Sequence, residues 1–493
     1  MSESSRKPLS VAIIGSGFAG LCMGIRLKQA GIDSFTIFER AEDLGGTWRD
    51  NTYPGAACDV PSHLYSFSFE PNPRWTRLFA QQGEILDYLQ HCADTYGLRP
   101  YIRFRAPITE ARFDEASGQW VLKIAGEEEV RADVVVSGTG GLSRPALPDI
   151  PGLERFQGKV FHSARWDHGH DLTGKTVAVV GTGASAIQIV PQIAPRVKQL
   201  HLFQRTPPWV LPKDDRAIGP RERKLYQSLP FLLWLRRLFI YWSLESRVYG
   251  FIKLLGLLKL YTLVARHFLR KSIPDPELRK KLTPSYALGC KRVLLANDYY
   301  PALLRPNVEL VTEGIQEVTP TGVRTRDGKE RAVDTLILAT GFQASEAVAP
   351  FPIHGRGGVN LADAWQQGAE AYLGTTVAGM PNLFFIVGPN TGLGHSSMIF
   401  MIESQVRYIL EALQALQRQG CAWLELRRDV QERFNRQLHA RMERTVWNTG
   451  GCASWYKTRN GKNTTLWPGS TVEFRLRTRR LQPSDYQWGP RTP

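Results

Sequence analysis

The stretch from Leu9 to Gly20 constrains this chain more than any other. An apolar run, Leu9 to Ile14, enters Gly15-Ser16-Gly17-Phe18-Ala19-Gly20; a helix-like segment then runs from Leu21 to Ala30 and stops at Gly31. A second apolar run, Ser34 to Phe38, ends in Glu39, nineteen positions after Gly20. Strand, glycine turn, helix, strand and acid in this register predict a βαβ unit that holds a dinucleotide. Gly15 permits the tight turn, Gly17 lets the main chain approach a pyrophosphate, and Gly20 lets helix and strand pack closely, with the positive end of the helix facing the phosphates. Glu39 accepts both ribose hydroxyls and repels a 2'-phosphate, so FAD or NAD is expected here rather than NADP.

The pattern occurs a second time. Lys175 to Val180 reads as a strand, Gly181-Thr182-Gly183-Ala184-Ser185-Ala186 as the turn, and the helix runs to about Ile193. The following strand, Gln199 to Phe203, ends in Gln204-Arg205-Thr206 instead of an acid, and a guanidinium there suits a 2'-phosphate. NADPH is the expected second nucleotide. The strands Ala132 to Val136 and Thr335 to Leu338 each run into a small-residue turn and are expected to return the chain to a sheet edge. The predicted fold is α/β, with two Rossmann-like dinucleotide-binding domains: a discontinuous FAD domain (1–145 and 336–493) and an NADPH domain (146–210 and 273–335) carrying a helical insertion at 211–272.

That insertion has a character of its own. Its apolar runs, such as Phe231 to Leu235 and Leu254 to Leu258, are broken by Arg236, Arg237, Arg247, Lys253, Lys259 and Arg266, and none is long enough to span a bilayer. A helical subdomain buried on one face is the plain expectation; peripheral membrane contact and a hydrophobic substrate entrance are the other two uses of such helices. The 493-residue chain carries 62 lysines and arginines against 46 acids, a formal +16, which calls for a polyanionic partner without choosing one. Its six cysteines, Cys22, Cys58, Cys92, Cys290, Cys421 and Cys452, show neither a CxxC pair nor zinc-like spacing. No metal is expected, and a reducing, cytoplasmic compartment is. The start, MSESSRKPLS, contains no apolar signal core.

A flavin beside a nicotinamide supports hydride transfer, and without a close cysteine pair to receive the electrons, dioxygen is the expected acceptor. Two further motifs carry a resemblance. Gly45-Gly46-Thr47-Trp48 continues through Tyr53-Pro54-Gly55 to Asp59, and Phe156-Gln157-Gly158 continues through His162 to Trp166-Asp167. Together they resemble the signatures of type I Baeyer-Villiger monooxygenases, within the class B flavoprotein monooxygenases. The resemblance implies oxidation of a ketone to an ester or lactone through a C4a-peroxyflavin, with linear aliphatic or bulky hydrophobic ketones favoured by the apolar insertion. It also implies that Arg292, in Gly289-Cys290-Lys291-Arg292, is the catalytic cation and that Asp59 orients it. Lys291 and Arg205 would share the 2'-phosphate, with Thr206 beside them. Gly46, Thr47 and Trp48 would line the flavin site, Gly181, Gly183 and Ser185 the NADPH site, and Phe156, Gly158, His162, Trp166 and Asp167 would couple the domains. Ala57 stands where the best-known cyclic-ketone members have arginine, and the insertion reads as an addition. Pro389 to His395 is expected to open a helix over Ser396 to Gln417 aimed at the flavin, and Ser454-Trp455-Tyr456 with Asn463 to Gly469 to form a mobile segment over the substrate. The competing readings are an N- or S-oxygenating flavin enzyme and a membrane-associated flavoprotein sensor; a nucleic-acid partner is not expected.

Overall fold

The computed structural model describes residues 8–126, 129–254, 256–343 and 348–490. Residues 1–7, most of the stretch on which the signal-peptide reading rests, lie outside them, as does Leu255 in one of the insertion's apolar runs.

Ten short strands form the two sheets: β1 (Val11–Ile14), β2 (Phe35–Phe38), β3 (Ile102–Arg103), β4 (Val134–Ser137), β5 (Lys159–His162), β6 (Thr176–Val180), β7 (Gln199–Phe203), β8 (Val308–Val311), β9 (Thr335–Leu338) and β10 (Leu383–Phe385). The first sheet runs β10-β4-β1-β2-β3 and the second β8-β7-β6-β9-β5. Every pair is parallel. Strands such as VAII (β1), VVVS (β4) and TLIL (β9) are buried throughout, so they read as unbroken apolar runs and not as alternating ones, as expected for sheets covered on both faces. Helix α1 (Phe18–Gln29) connects β1 to β2, and α2 (Ala184–Ile193) connects β6 to β7.

The two units share a plan. Each continues into an antiparallel meander, Ile108–Asp114 to Glu129–Ala132 in the first and Ile315–Thr319 to Glu330–Ala332 in the second, before a strand returns to the parallel sheet. The returning strands are β4 and β9, and both lie inside their sheets, β4 between β10 and β1 and β9 between β6 and β5. The edge positions expected for them are therefore corrected. Because β9 pairs with β5 and β6, the second sheet keeps the chain through Leu338, beyond the expected boundary at 335.

In the insertion, α3 (Pro230–Glu245) and α4 (Gly256–Ser272) are the long elements. Arg237 of α3 clamps it to the first unit, donating to the carbonyls of His63 and Ser66 and to the Ser66 hydroxyl. A 22-residue helix, α5 (Met398–Gln419), begins two residues later than expected, with the Ser397 hydroxyl accepting from Ile399 N–H, and packs along α1. Among the described residues no single helix is long and apolar enough to cross a membrane.

Candidate active site

Carboxyl ends of central parallel strands are where open α/β sheets bind ligands, and both glycine turns sit there, after β1 and after β6. The first turn has no room for side chains. Gly15 adopts φ +97°, and a Cβ there would lie 2.9 Å from the Gly138 carbonyl oxygen; one on Gly20 would lie 1.8 Å from that of Gly15. Gly46, at φ +53°, would bring a Cβ to 3.1 Å from Gly17 Cα, so the Gly45-Gly46 bend closes on the turn and forms a cradle of bare backbone. Thr47 opens the short helix after it, and Trp48 donates its indole N–H to the Tyr65 hydroxyl at 3.1 Å.

Glu39 closes the far side. Its carboxylate accepts from Ser16 N–H at 3.0 Å, Ser16 O–H at 2.6 Å and Ala41 N–H at 3.0 Å, and Arg49 lies 3.0 Å away. Burial pushes its pKa up, but the Ser16 bonds and the Arg49 charge outweigh it and hold the carboxyl below its ordinary range. An ionised, backbone-anchored acid beside a bare turn fits the ribose and pyrophosphate of a dinucleotide.

The second turn has the same form. Gly181 is at φ +108° against the Ala339 carbonyl, whereas a Cβ on Gly183 would meet no protein atom within 4 Å. Thr182 donates to the Thr206 carbonyl and so ties the turn to the loop carrying Arg205. Lys291, in the segment that follows the insertion, comes close enough to Arg205 that burial first and the Arg205 charge second lower its pKa. No carboxylate pairs with either cation among the described residues. Two cations facing each other without an acid are unfavourable until an anion joins them, as a 2'-phosphate would.

The first signature links the two units. Tyr53 donates to Gln188 on α2 at 2.9 Å, Gln188 donates back to the Ala57 carbonyl at 3.0 Å, and Gly55 sits directly over the Gln188 carbonyl. Ser185 lies beside the Tyr53 hydroxyl. At the end of this segment Asp59 meets Arg292: Nε donates to Oδ2 at 2.6 Å and Nη2 to Oδ1 at 2.7 Å, a bidentate pair. Their side chains keep 29% and 34% exposure, so one side of the pair remains open. The Asp59 charge, partly offset by burial, raises Arg292 above its ordinary value; burial pushes Asp59 up, but Arg292 more than compensates and holds it below the ordinary carboxylate range.

Other groups complete the surroundings of this pair, and three were not read from the sequence in that place. Lys213 carries a second positive charge felt by Asp59. The Tyr456 hydroxyl is buried beside Arg292. Cys290 is bonded to Cys452 across 162 residues, which ties the Arg292 segment to the loop bearing Tyr456. Cysteines scattered in sequence are thus joined in space, and their spacing was no guide to redox state. The segment Asn463 to Gly469, expected to be mobile, is instead packed: Asn463, Thr464, Leu466 and Trp467 are buried, and Asn390 donates to the carbonyls of Asn463 and Leu466.

The second signature lies apart from the pair. His162 accepts from Ala164 N–H through Nδ1, and burial lowers its pKa, leaving a neutral ring that caps a turn at the end of β5. Phe156 covers Gly158, Trp166 packs edge-on against Phe161, and Asp167 pairs with Lys159 at 2.6 Å.

The comparisons with known proteins agree with this geometry. Residues 8–232 match the flavin-binding monooxygenase-like family model. The Baeyer-Villiger monooxygenase of Pseudomonas aeruginosa is 52% identical over 97% of this chain and 90% of its own length, and that of Streptomyces coelicolor 50% over 98% and 93%. The chain belongs to the Baeyer-Villiger monooxygenase family. Among solved structures it is similar to an oxidized steroid monooxygenase bound to NADP (TM-score 0.88, 29% identity, 98% of this chain and 99% of that one). It is also similar to the OTEMO complex with FAD and NADP (TM-score 0.87, 28% identity, 98% and 100%). As a Baeyer-Villiger monooxygenase it uses FAD and NADPH. Matches spanning 97–98% of the chain leave no room for an addition as long as 211–272, so the insertion is part of the family fold.

Proposed function

We propose that this protein uses NADPH and dioxygen to convert apolar ketones, linear aliphatic or bulky, into esters or lactones, with Arg292 as the catalytic cation and Asp59 as its positioning residue. The observation that carries the reading is the bidentate Asp59–Arg292 pair, open on one side and set where the segment joining both nucleotide units ends. FAD fits the Gly15–Gly20 cradle with Glu39, and NADPH fits Gly181 and Gly183 with Arg205 and Lys291. When bound, the reduced flavin supplies the electrons that activate dioxygen.

Arg292 does the rest of the electrostatic work. Two of its N–H groups are committed to Asp59, which fixes the plane of the guanidinium and leaves the others free of that carboxylate to stabilise a negatively charged oxygen as the carbonyl is attacked. Arginine stays charged in this half-buried place, where a lysine could lose its proton. Trp209, Phe251, Leu258, Tyr286, Trp447 and Leu466 form one apolar cluster with Cys290 and Tyr456, next to the pair, and this supports an apolar substrate.

Arg292→Ala is expected to retain bound FAD and measurable NADPH oxidation while ester formation falls by about 10²–10³-fold or more. A variant that converts ketones at the parent rate would remove Arg292 from the mechanism. A chain that oxidises a thioether but no ketone would favour the N- or S-oxygenating reading, which does not need the Asp59–Arg292 pair.

A further inference from the structure

The geometry points to a docking face for an anionic phospholipid bilayer on the insertion, formed by the outer sides of α3 and α4. On α3 the exposed side chains are Phe231, Trp234, Leu235, Leu238, Phe239 and Trp242. Their spacing, i, i+3, i+4, i+7, i+8 and i+11, places them on one face. Trp234, Phe239 and Trp242 are 54, 66 and 53% exposed, which is unusual for aromatic side chains on a helix that has a buried side of its own at Leu233, Ile240 and Leu244. Helix α4 repeats the arrangement with Leu257, Leu260, Leu263 and Val264 outward and Leu258, Ala265 and Leu269 inward. Tyr249 and Leu254, both exposed, occupy the corner where the chain turns by 110° from one helical stretch into the next. A continuous chain segment with this much exposed apolar surface marks an interaction site.

Charge selects the occupant. Residues 220–272 contain eleven lysines and arginines and only two acids, Glu222 and Glu245. Neither acid is available to a partner: Glu222 pairs with Arg216, and Glu245 is buried, accepting from Thr471 and bonded to His395. By contrast, Arg247, Lys253, Lys259, Arg266 and Arg270 are exposed, and none pairs with a carboxylate among the described residues. Lys259, Arg266 and Arg270, seven and four residues apart, run in file along α4 next to its outward leucines. Aromatic and leucine side chains flanked by unpaired cations, on helices too short to span, are what lies in the headgroup region of an acidic bilayer. A second copy of this chain would have to bring the same cations against themselves, and a soluble polyanion would leave the aromatic file in water.

The face leaves the oxygenating site untouched, since none of these side chains lies at Arg292, and it would hold an enzyme for apolar ketones at the phase in which such ketones dissolve. Only that last clause rests on the proposed function; lipid binding itself does not.

Flotation of the FAD-loaded full chain with vesicles tests it. The chain is expected to float with vesicles of phosphatidylglycerol and phosphatidylcholine, to float much less with phosphatidylcholine alone, and to be released by high salt. The variant Phe231→Ser, Trp234→Ser, Phe239→Ser is expected to stay in the dense fraction with FAD content, melting temperature and NADPH oxidation unchanged. Absence of the parent chain from the anionic vesicle fraction overturns the proposal. So does equal flotation of the variant, or a parent dimer in solution that the variant converts to monomer without any lipid binding.

Discussion

Among the individual residues of the site, some charges are compensated and others are left open. Glu39 and Asp59 are held ionised by neighbours that outweigh their burial, whereas Arg205 and Lys291 are neighbours with no carboxylate paired to either among the described residues. This asymmetry predicts that Arg205→Ala raises the KM for NADPH by about 10–100-fold, the loss of one charge-assisted contact, and leaves the KM for NADH nearly unchanged. Steady-state kinetics with both nucleotides checks it; equal losses for both would place Arg205 away from the 2'-phosphate. Much of this was legible in sequence because the glycine turns and the acid or arginine at the end of the next strand are local patterns governed by backbone geometry. Asp59 and Arg292 are 233 positions apart, and only the family signatures bring them together. Lys213 near Asp59 and the Cys290–Cys452 bond had no local pattern to mark them, since each depends on how distant loops fold back over the sheets.

At the element scale, helices and strands were legible to within a few residues where one periodicity dominated, as in β7 and α2. The order of strands within a sheet was not, because strands β4 and β9 look the same in sequence whether they lie at an edge or inside. Nor was the packing of Asn463 to Gly469, whose glycine and threonine content reads as a loose loop until Asn390 is placed beneath it. The insertion offers a test at this scale. His63, buried under α3, has its pKa lowered to about 4 from 6.5 by burial first and then by Arg236 and Arg237 of α3; Glu222 opposes them. Because the unfolded chain binds this proton more readily, stability falls as pH drops from about 6.5 toward 4, by at most about 3 kcal/mol. His63→Gln is expected to flatten that part of the stability curve, as read by thermal melts from pH 7 to about 4; an unchanged slope would assign the acid sensitivity to other groups.

For the whole molecule, the segment Tyr53 to Asp59 of the first unit docks on α2 of the second and ends on the Arg292 pair, and the Cys290–Cys452 bond adds a further link. The insertion closes over the same region through Phe251 and Leu258, in the apolar cluster that also holds Cys290 and Tyr456. Net charge, the coarsest reading of the sequence, divides between these parts: on the proposed function some of it meets the nucleotide phosphates, and on the insertion Arg247, Lys253, Lys259, Arg266 and Arg270 are exposed without a carboxylate partner among the described residues. On the proposed function, Arg292 controls the insertion of one atom of dioxygen beside a ketone carbonyl. Mass spectrometry of the product formed from a linear ketone, NADPH and isotopically labelled dioxygen tests it most directly. The expected product is an ester carrying a single labelled oxygen, formed by the parent chain and lost with Arg292→Ala; NADPH consumption that yields hydrogen peroxide and no labelled ester with any ketone would contradict that role.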